Sequence, residues 1–192
     1  MKKFFAFIAA AFMAISASAQ SEAGSLTWKP NVGITYSTAT SDAGKGVDGA
    51  IGLTAGVEAM YMCSEQFGVA LGLNYTGYNV CGSYYKKEDA IASNYYFNIP
   101  VVANYYVAPG LALKAGIAIN LLSTAKIDGD SELMGIKFKD LYKSNFFSVP
   151  VGASYEINDF VFDARYNFGI SKAYEVADGS FNALTFTVGY KF

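Results

Sequence analysis

A chain of 192 residues with 14 basic and 16 acidic side chains has a net charge of −2, which excludes the basic surface a nucleic-acid partner requires. Charged residues make up only 16% and aromatic residues a further 16%, an unusual balance for a water-soluble domain. The chain has no histidine, which removes Ser-His-Asp hydrolysis, histidine general-base catalysis and most zinc or copper sites. It therefore reads as non-enzymatic and without metal or cofactor.

The first predicted element is a targeting segment. Met1-Lys2-Lys3 is basic, Phe4 to Ile15 is apolar, and Ala17-Ser18-Ala19 is a small-residue cleavage site. Residues 1–19 are expected to be a secretory signal peptide, cut between Ala19 and Gln20. Residues 20–192 then form a single domain, and no cysteine follows the cut to take a lipid anchor.

From residue 26 onward the chemistry alternates with period two. In Phe67-Gly68-Val69-Ala70-Leu71-Gly72-Leu73-Asn74-Tyr75 the odd positions are large and apolar, and the even ones are small or polar. That is a β-strand with two unlike faces. The pattern predicts strands near 26–37, 50–62, 67–79, 93–107, 111–122, 145–157, 160–170 and 181–192. Val101 to Leu122 is the nearest approach to a membrane helix, but Ala108-Pro109-Gly110 divides it into two strands and a turn. The other short connections are Cys63–Gln66 and Asn158-Asp159. The long ones are Thr38–Gly49, Val80–Ala92, Ser123–Ser144 and Ser171–Ser180.

This long-short rhythm is the mark of an all-β, eight-stranded antiparallel up-and-down transmembrane β-barrel, with short periplasmic turns and long outer loops. The third long connection leaves open ten strands in place of eight. Phe97-Asn98-Ile99-Pro100-Val101 through Tyr105 echoes Phe147-Ser148-Val149-Pro150-Val151 through Tyr155, which suggests a duplicated hairpin. Proline cannot donate a ladder hydrogen bond, so a bulge or a broken ladder is expected at Pro100 and Pro150.

In one common orientation, the lower aromatic ring is Trp28, Tyr61, Phe67, Tyr105, Tyr155, Phe160 and Tyr190. The upper ring is Tyr36, Tyr75, Phe97, Phe147 and Phe168, with aliphatic residues between. These two girdles bound a lipid-facing belt. About eight residues separate them, roughly 27 Å along a strand. The opposite register holds glycines such as Gly33, Gly52, Gly116 and Gly152, with Thr54, Asn74, Asn98, Asn120 and Ser148. Small residues suit the crowded lumen of a narrow barrel. A soluble lipocalin-like barrel would reverse the faces and bury more rings than eight strands can enclose.

The segments Phe97-Asn98-Ile99-Pro100-Val101 with Tyr105-Tyr106, Leu113-Lys114-Ala115-Gly116 and the ending Val188-Gly189-Tyr190-Lys191-Phe192 carry a family likeness. The chain resembles the outer-membrane β-barrel proteins of Bacteroidota-type bacteria, loosely grouped with the PorT-like and OmpA-like small barrels. The resemblance implies residence in the bacterial outer membrane. It also implies that Tyr190 and Phe192 form the C-terminal signal read by the barrel-assembly machinery. Lipid-modifying barrel enzymes of similar kind use a catalytic histidine that this chain lacks.

The candidate site is a polar network in the lumen register: Lys29, Glu58, Lys114, Glu156, Asp163, Arg165 and Lys191. Unpaired charges in a dry lumen are costly, so these should pair into a structural plug; a gated pathway is the sharper alternative. Cys63 and Cys81 lie some 40 Å apart along the third strand, against ~6 Å between bridged Cα atoms, so no disulfide is expected. Asp128-Gly129-Asp130 lacks the ligand count for calcium. Tyr78, Tyr84, Tyr85, Tyr95, Tyr96 and Tyr142 are read as an outer rim suited to contact with proteins or sugars. The expectation is a monomeric barrel in outer-membrane lipid with a structural or surface-interaction role toward a protein or glycan. A narrow porin-like pore and an accessory part of a secretion system are the alternatives.

Overall fold

A computed structural model describes residues 22–41, 47–84, 87–127, 132–133, 136–137, 142–174 and 179–192. The expected signal peptide with its Ala19-Gln20 junction, the Asp128-Gly129-Asp130 segment and Tyr85 lie outside the described residues.

The strands are β1 (Leu26–Ser41), β2 (Val47–Met62), β3 (Phe67–Tyr84), β4 (Lys87–Ala108), β5 (Leu111–Ile127), β6 (Glu132–Leu133), β7 (Ile136–Lys137), β8 (Asn145–Ile157), β9 (Phe160–Gly169) and β10 (Gly179–Tyr190). Eight of them close a barrel in the order β1-β10-β9-β8-β5-β4-β3-β2, each pair antiparallel. The two further strands of the third long connection pair only with each other, Glu132 opposite Lys137, and do not enter the wall. Closure runs from Asn31 opposite Gly189 to Ser41 opposite Gly179. It is finished below by Trp28 and Phe192, which exchange backbone hydrogen bonds of 3.2 and 2.9 Å.

The short turns follow from local chemistry. Gly110 has φ 75°, which glycine adopts without strain, and Asn158 has φ 53°, which asparagine tolerates better than most residues. The upper connections differ from expectation. β3 continues to Tyr84 and β4 starts at Lys87, so most of the connection expected over Val80–Ala92 is strand. The same holds, less strongly, for Thr38–Gly49 between β1 and β2. Above the upper girdle the apolar alternation lapses, because no hydrocarbon faces the ribbon, while the hydrogen-bonded ladder runs on. From Tyr75 to Tyr84 this adds about 30 Å along β3.

Both prolines interrupt a ladder without shifting it. Between β3 and β4 the pairs stop at Leu71 opposite Val101 and resume at Asn74 opposite Asn98. Between β5 and β8 they stop at Ala115 opposite Val151 and resume at Ala118 opposite Ser148. Each proline keeps its partner on the other side, Ala118 for Pro100 and Asn167 for Pro150. The missing N–H therefore leaves a local gap and no bulge. Gly72 makes room for the first ring, since a Cβ there would lie 2.9 Å from Pro100 Cγ.

Lumen crowding is only part of the reason for the glycines. At Gly33 an added Cβ would stand 1.9 Å from the Phe186 carbonyl oxygen, and at Gly116 2.0 Å from that of Val101. The obstruction is the neighbouring backbone, which a sharply curled wall brings over the strand.

Candidate functional site

The outward register is apolar and uncovered: Trp28, Val32 and Ile34 on β1, Phe67 to Tyr75 at odd positions on β3, Phe147 and Val151 on β8 are all exposed. Every polar side chain of the candidate network points the other way. Lys29, Glu58, Lys114, Glu156, Asp163 and Arg165 are buried, and Lys191 is nearly so at the lower end.

Five of these charges form one ionic layer. Lys29 and Glu58 are direct partners across β1 and β2, with Nζ 2.8 Å from Glu58 Oε1. Arg165 and Asp163 lie two apart on β9 and so share its inner face. Arg165 Nε donates to Asp163 Oδ1 at 2.6 Å, and its Nη2 reaches across the lumen to Glu58 Oε2 at 2.6 Å. Lys114 of β5 completes the layer, bonding Asp163 and, at 3.3 Å, Glu58. Two carboxylates are thus held by three cations on four strands. Nearer the lower rim, Glu156 accepts from Lys191 and from the Tyr106 hydroxyl. Tyr106 reaches it from β4 across Ala112 of β5, whose partners are Tyr106 on one side and Ser154 on the other.

Above the ionic layer is a neutral amide layer. Asn98 Nδ2 donates to Asn120 Oδ1 at 2.7 Å, Tyr78 OH donates to the same oxygen at 3.1 Å, and Asn120 Nδ2 donates to Ser148 Oγ at 3.0 Å. Higher still the lumen is apolar. Tyr78, Tyr96, Phe146 and Phe181 are fully buried, with Tyr142, Val80 and Leu122 around them. Tyr96 and Phe146 meet edge to face at 5.0 Å, as do Tyr78 and Phe146 at 5.4 Å, the arrangement ring quadrupoles favour. This corrects the expected outer rim. Tyr78, Tyr96 and Tyr142 turn inward and close the lumen, while Tyr95 stacks on Tyr75 at 5.3 Å on the outside. The physical reason is parity: Tyr78 shares the register of Asn74, and Tyr96 that of Asn98.

A lipid-facing belt around a filled polar and aromatic lumen is the architecture of an outer-membrane barrel, and the family comparison decides the matter. The model of the outer membrane protein β-barrel domain matches residues 7–192. The chain belongs to that family. As an outer membrane protein β-barrel it superimposes on Neisserial surface protein A with a TM-score of 0.59, covering 86% of this chain and 97% of that one at 20% identity. It is also similar to OprG of Pseudomonas aeruginosa (17% identity, 91% and 98% coverage, TM-score 0.48). A third likeness is to Ail of Yersinia pestis, solved with the heparin analogue sucrose octasulfate (15% identity, 87% and 99% coverage, TM-score 0.47). None of the curated proteins compared with it matches. At 20% identity the likeness to Neisserial surface protein A speaks for the fold alone.

Of the residues singled out from the sequence, the structure of this outer-membrane barrel brings Lys29, Glu58, Lys114, Asp163 and Arg165 together and sets Glu156 and Lys191 apart as a lower pair. Tyr190 packs edge to face on Phe160 at 5.3 Å, beside Phe192 at 4.8 Å, on the outer lower rim. Cys63 lies in the first short turn and Cys81 on the upper part of β3, and both are free. Tyr106 entered the sequence reading only through the family likeness and Phe146 not at all, although each occupies an inward position of its strand.

Proposed function

We propose that this outer-membrane barrel does not conduct and acts through its outer end, as a structural or surface-interaction protein toward a protein or glycan. The observation that carries this reading is the filling of the lumen at two levels, by ions below and by rings above. A through-path would require both layers to move. The ribbons that continue past the upper girdle give the outer end its contact surface.

The same reading takes residues 1–19 as a signal peptide cut at Ala19-Gln20, which exports the chain. It takes Tyr190 and Phe192 as the assembly signal, the barrel as a monomer, and the chain as one of the PorT-like small barrels of Bacteroidota-type bacteria. The narrow-pore alternative gains no support from a lumen whose named carboxylates are all bonded. Planar-bilayer recording of the purified barrel tests the proposal. The expected trace is flat; stable unitary steps whose size changes in Arg165→Ala would replace it with a pore.

A further inference from the structure

The outer wall is not evenly clad. In its lipid-facing register Ala153 of β8 stands directly opposite Ala164 of β9, with Leu113 and Phe186 as their outer neighbours. One step lower, Tyr155 stands opposite Phe162, and Phe162 opposite Val188. Two small side chains among large ones leave a hollow. A groove of about 480 Å³ lies there, lined by both alanines and by Phe162, Phe186 and Tyr155. It continues to Val32 and Ile34 on β1 and to Leu111 on β5. Gly33, Ser154, Asp163 and Thr187 also border it, but they belong to the lumen register. Asp163, the one charged residue among them, commits its carboxylate to Lys114 and Arg165 on the inside.

The groove runs obliquely. On β1 it reaches Val32 and Ile34, well above the Trp28 ring, and on β10 and β9 Val188 and Phe162, one outward position above Tyr190 and Phe160. On β8 it meets Tyr155 in the lower girdle, and on β5 Leu111 beside the Pro109-Gly110 turn. It therefore descends from the middle of the belt to the lower girdle across five strands, roughly 19 Å at ~4.8 Å per strand. Half of a ~30 Å hydrocarbon core is about 15 Å, so an inclined path of this length spans one leaflet. A protein segment crossing the membrane would follow the wall through both girdles. A second copy related by a two-fold axis would set hollow against hollow. An acyl chain starts at the girdle, ends near the midplane and bends to fit.

We propose that this groove retains one acyl chain of a phospholipid of the periplasmic leaflet, with the headgroup at the level of Tyr155. The lower girdle is the periplasmic one because the short turns lie there. Lipid tails are as apolar as leucine, so removal from water gives this position no advantage over the rest of the belt. The advantage is dispersion: in the groove a chain has wall atoms on several sides, and on the even wall on one. The site is independent of whether the lumen conducts.

Photocrosslinking in nanodiscs of phosphatidylethanolamine and phosphatidylglycerol tests the site, using phosphatidylethanolamine with a mid-chain diazirine as the probe. Adducts are expected to concentrate on the groove residues of β8, β9 and β10. Ala164→Phe puts a ring in the hollow, and its adducts there should fall to the level found on β3. Ala153→Leu serves the same purpose if Ala164→Phe does not fold. Ala103→Phe, on the outward register of β4 away from the groove, should leave the pattern unchanged. Native mass spectrometry of barrel extracted from the same discs should show one retained phospholipid, lost in Ala164→Phe. Adducts spread evenly around the wall would leave only annular lipid and overturn the site, as would adducts that survive in the folded variant. A native mass of two barrels, lost in Ala164→Phe, would give the groove to a second copy instead.

Discussion

The lower and upper halves of the lumen are closed by opposite chemistry. Below, five charges from four strands share a single layer in which each carboxylate serves several cations. Above, Tyr78, Tyr96, Phe146 and Phe181 fill the same cross-section with rings. The ionic layer is held by matching charges, so the loss of one member leaves its partners buried and unmatched. The aromatic layer is held by packing, so the loss of one member leaves a void. Fixed pairings make the first layer a device for holding register, while the second tolerates exchange of shape. The two should respond differently to the same kind of substitution.

The largest effect is expected at Glu58, the acceptor shared by Lys29, Lys114 and Arg165. Glu58→Gln leaves three cations facing one carboxylate and should cost about 3–5 kcal/mol of stability in urea unfolding from vesicles. Adding Lys114→Met should recover part of that loss, a non-additivity that a double-mutant cycle measures. If the double variant is as costly as the sum of the single ones, the layer is not coupled as described.

Phe146→Ala should cost about 3 kcal/mol through the void it opens among Tyr78, Tyr96 and Phe181. No second truncation in the aromatic layer should restore it. The smallest pair of effects is the sharpest, because the chemical change is the same. The Tyr106 hydroxyl donates to Glu156, so Tyr106→Phe should destabilise by about 1–2 kcal/mol. The Tyr96 hydroxyl is buried with no partner among the described residues, so Tyr96→Phe should stabilise by up to about 1 kcal/mol. Equal signs for the two variants would erase the distinction between the layers.

Much of this was legible in the chain and some was not, for separable reasons. The period-two alternation and the rhythm of connections placed the barrel strands, because a lipid face and a lumen face impose unlike chemistry on successive residues. Strand ends above the girdle were hidden, since Ser37 to Ser41 carry no apolar alternation although their ladder with β10 continues. The inward direction of Lys29, Glu58 and Arg165 could be read from parity. The contact of Arg165 with Glu58 could not, because it depends on how the closed wall brings β9 opposite β2. The aromatic layer was present in parity as well. Phe146 and Phe147 are adjacent in one strand, so one of them must face inward. Treating the lumen as uniformly polar concealed it.

The claim beneath both layers is that hydrocarbon and interface lipid, and not water, surround the outer register. Trp28 is the chain's one tryptophan and lies on the lower girdle with half its surface uncovered, 52%. Its fluorescence in vesicles of lipids brominated at graded depths is therefore a direct reporter. The account predicts strong quenching that peaks for bromines near the headgroup, with little from aqueous acrylamide. Quenching by acrylamide alone, with the brominated lipids without effect, would contradict it.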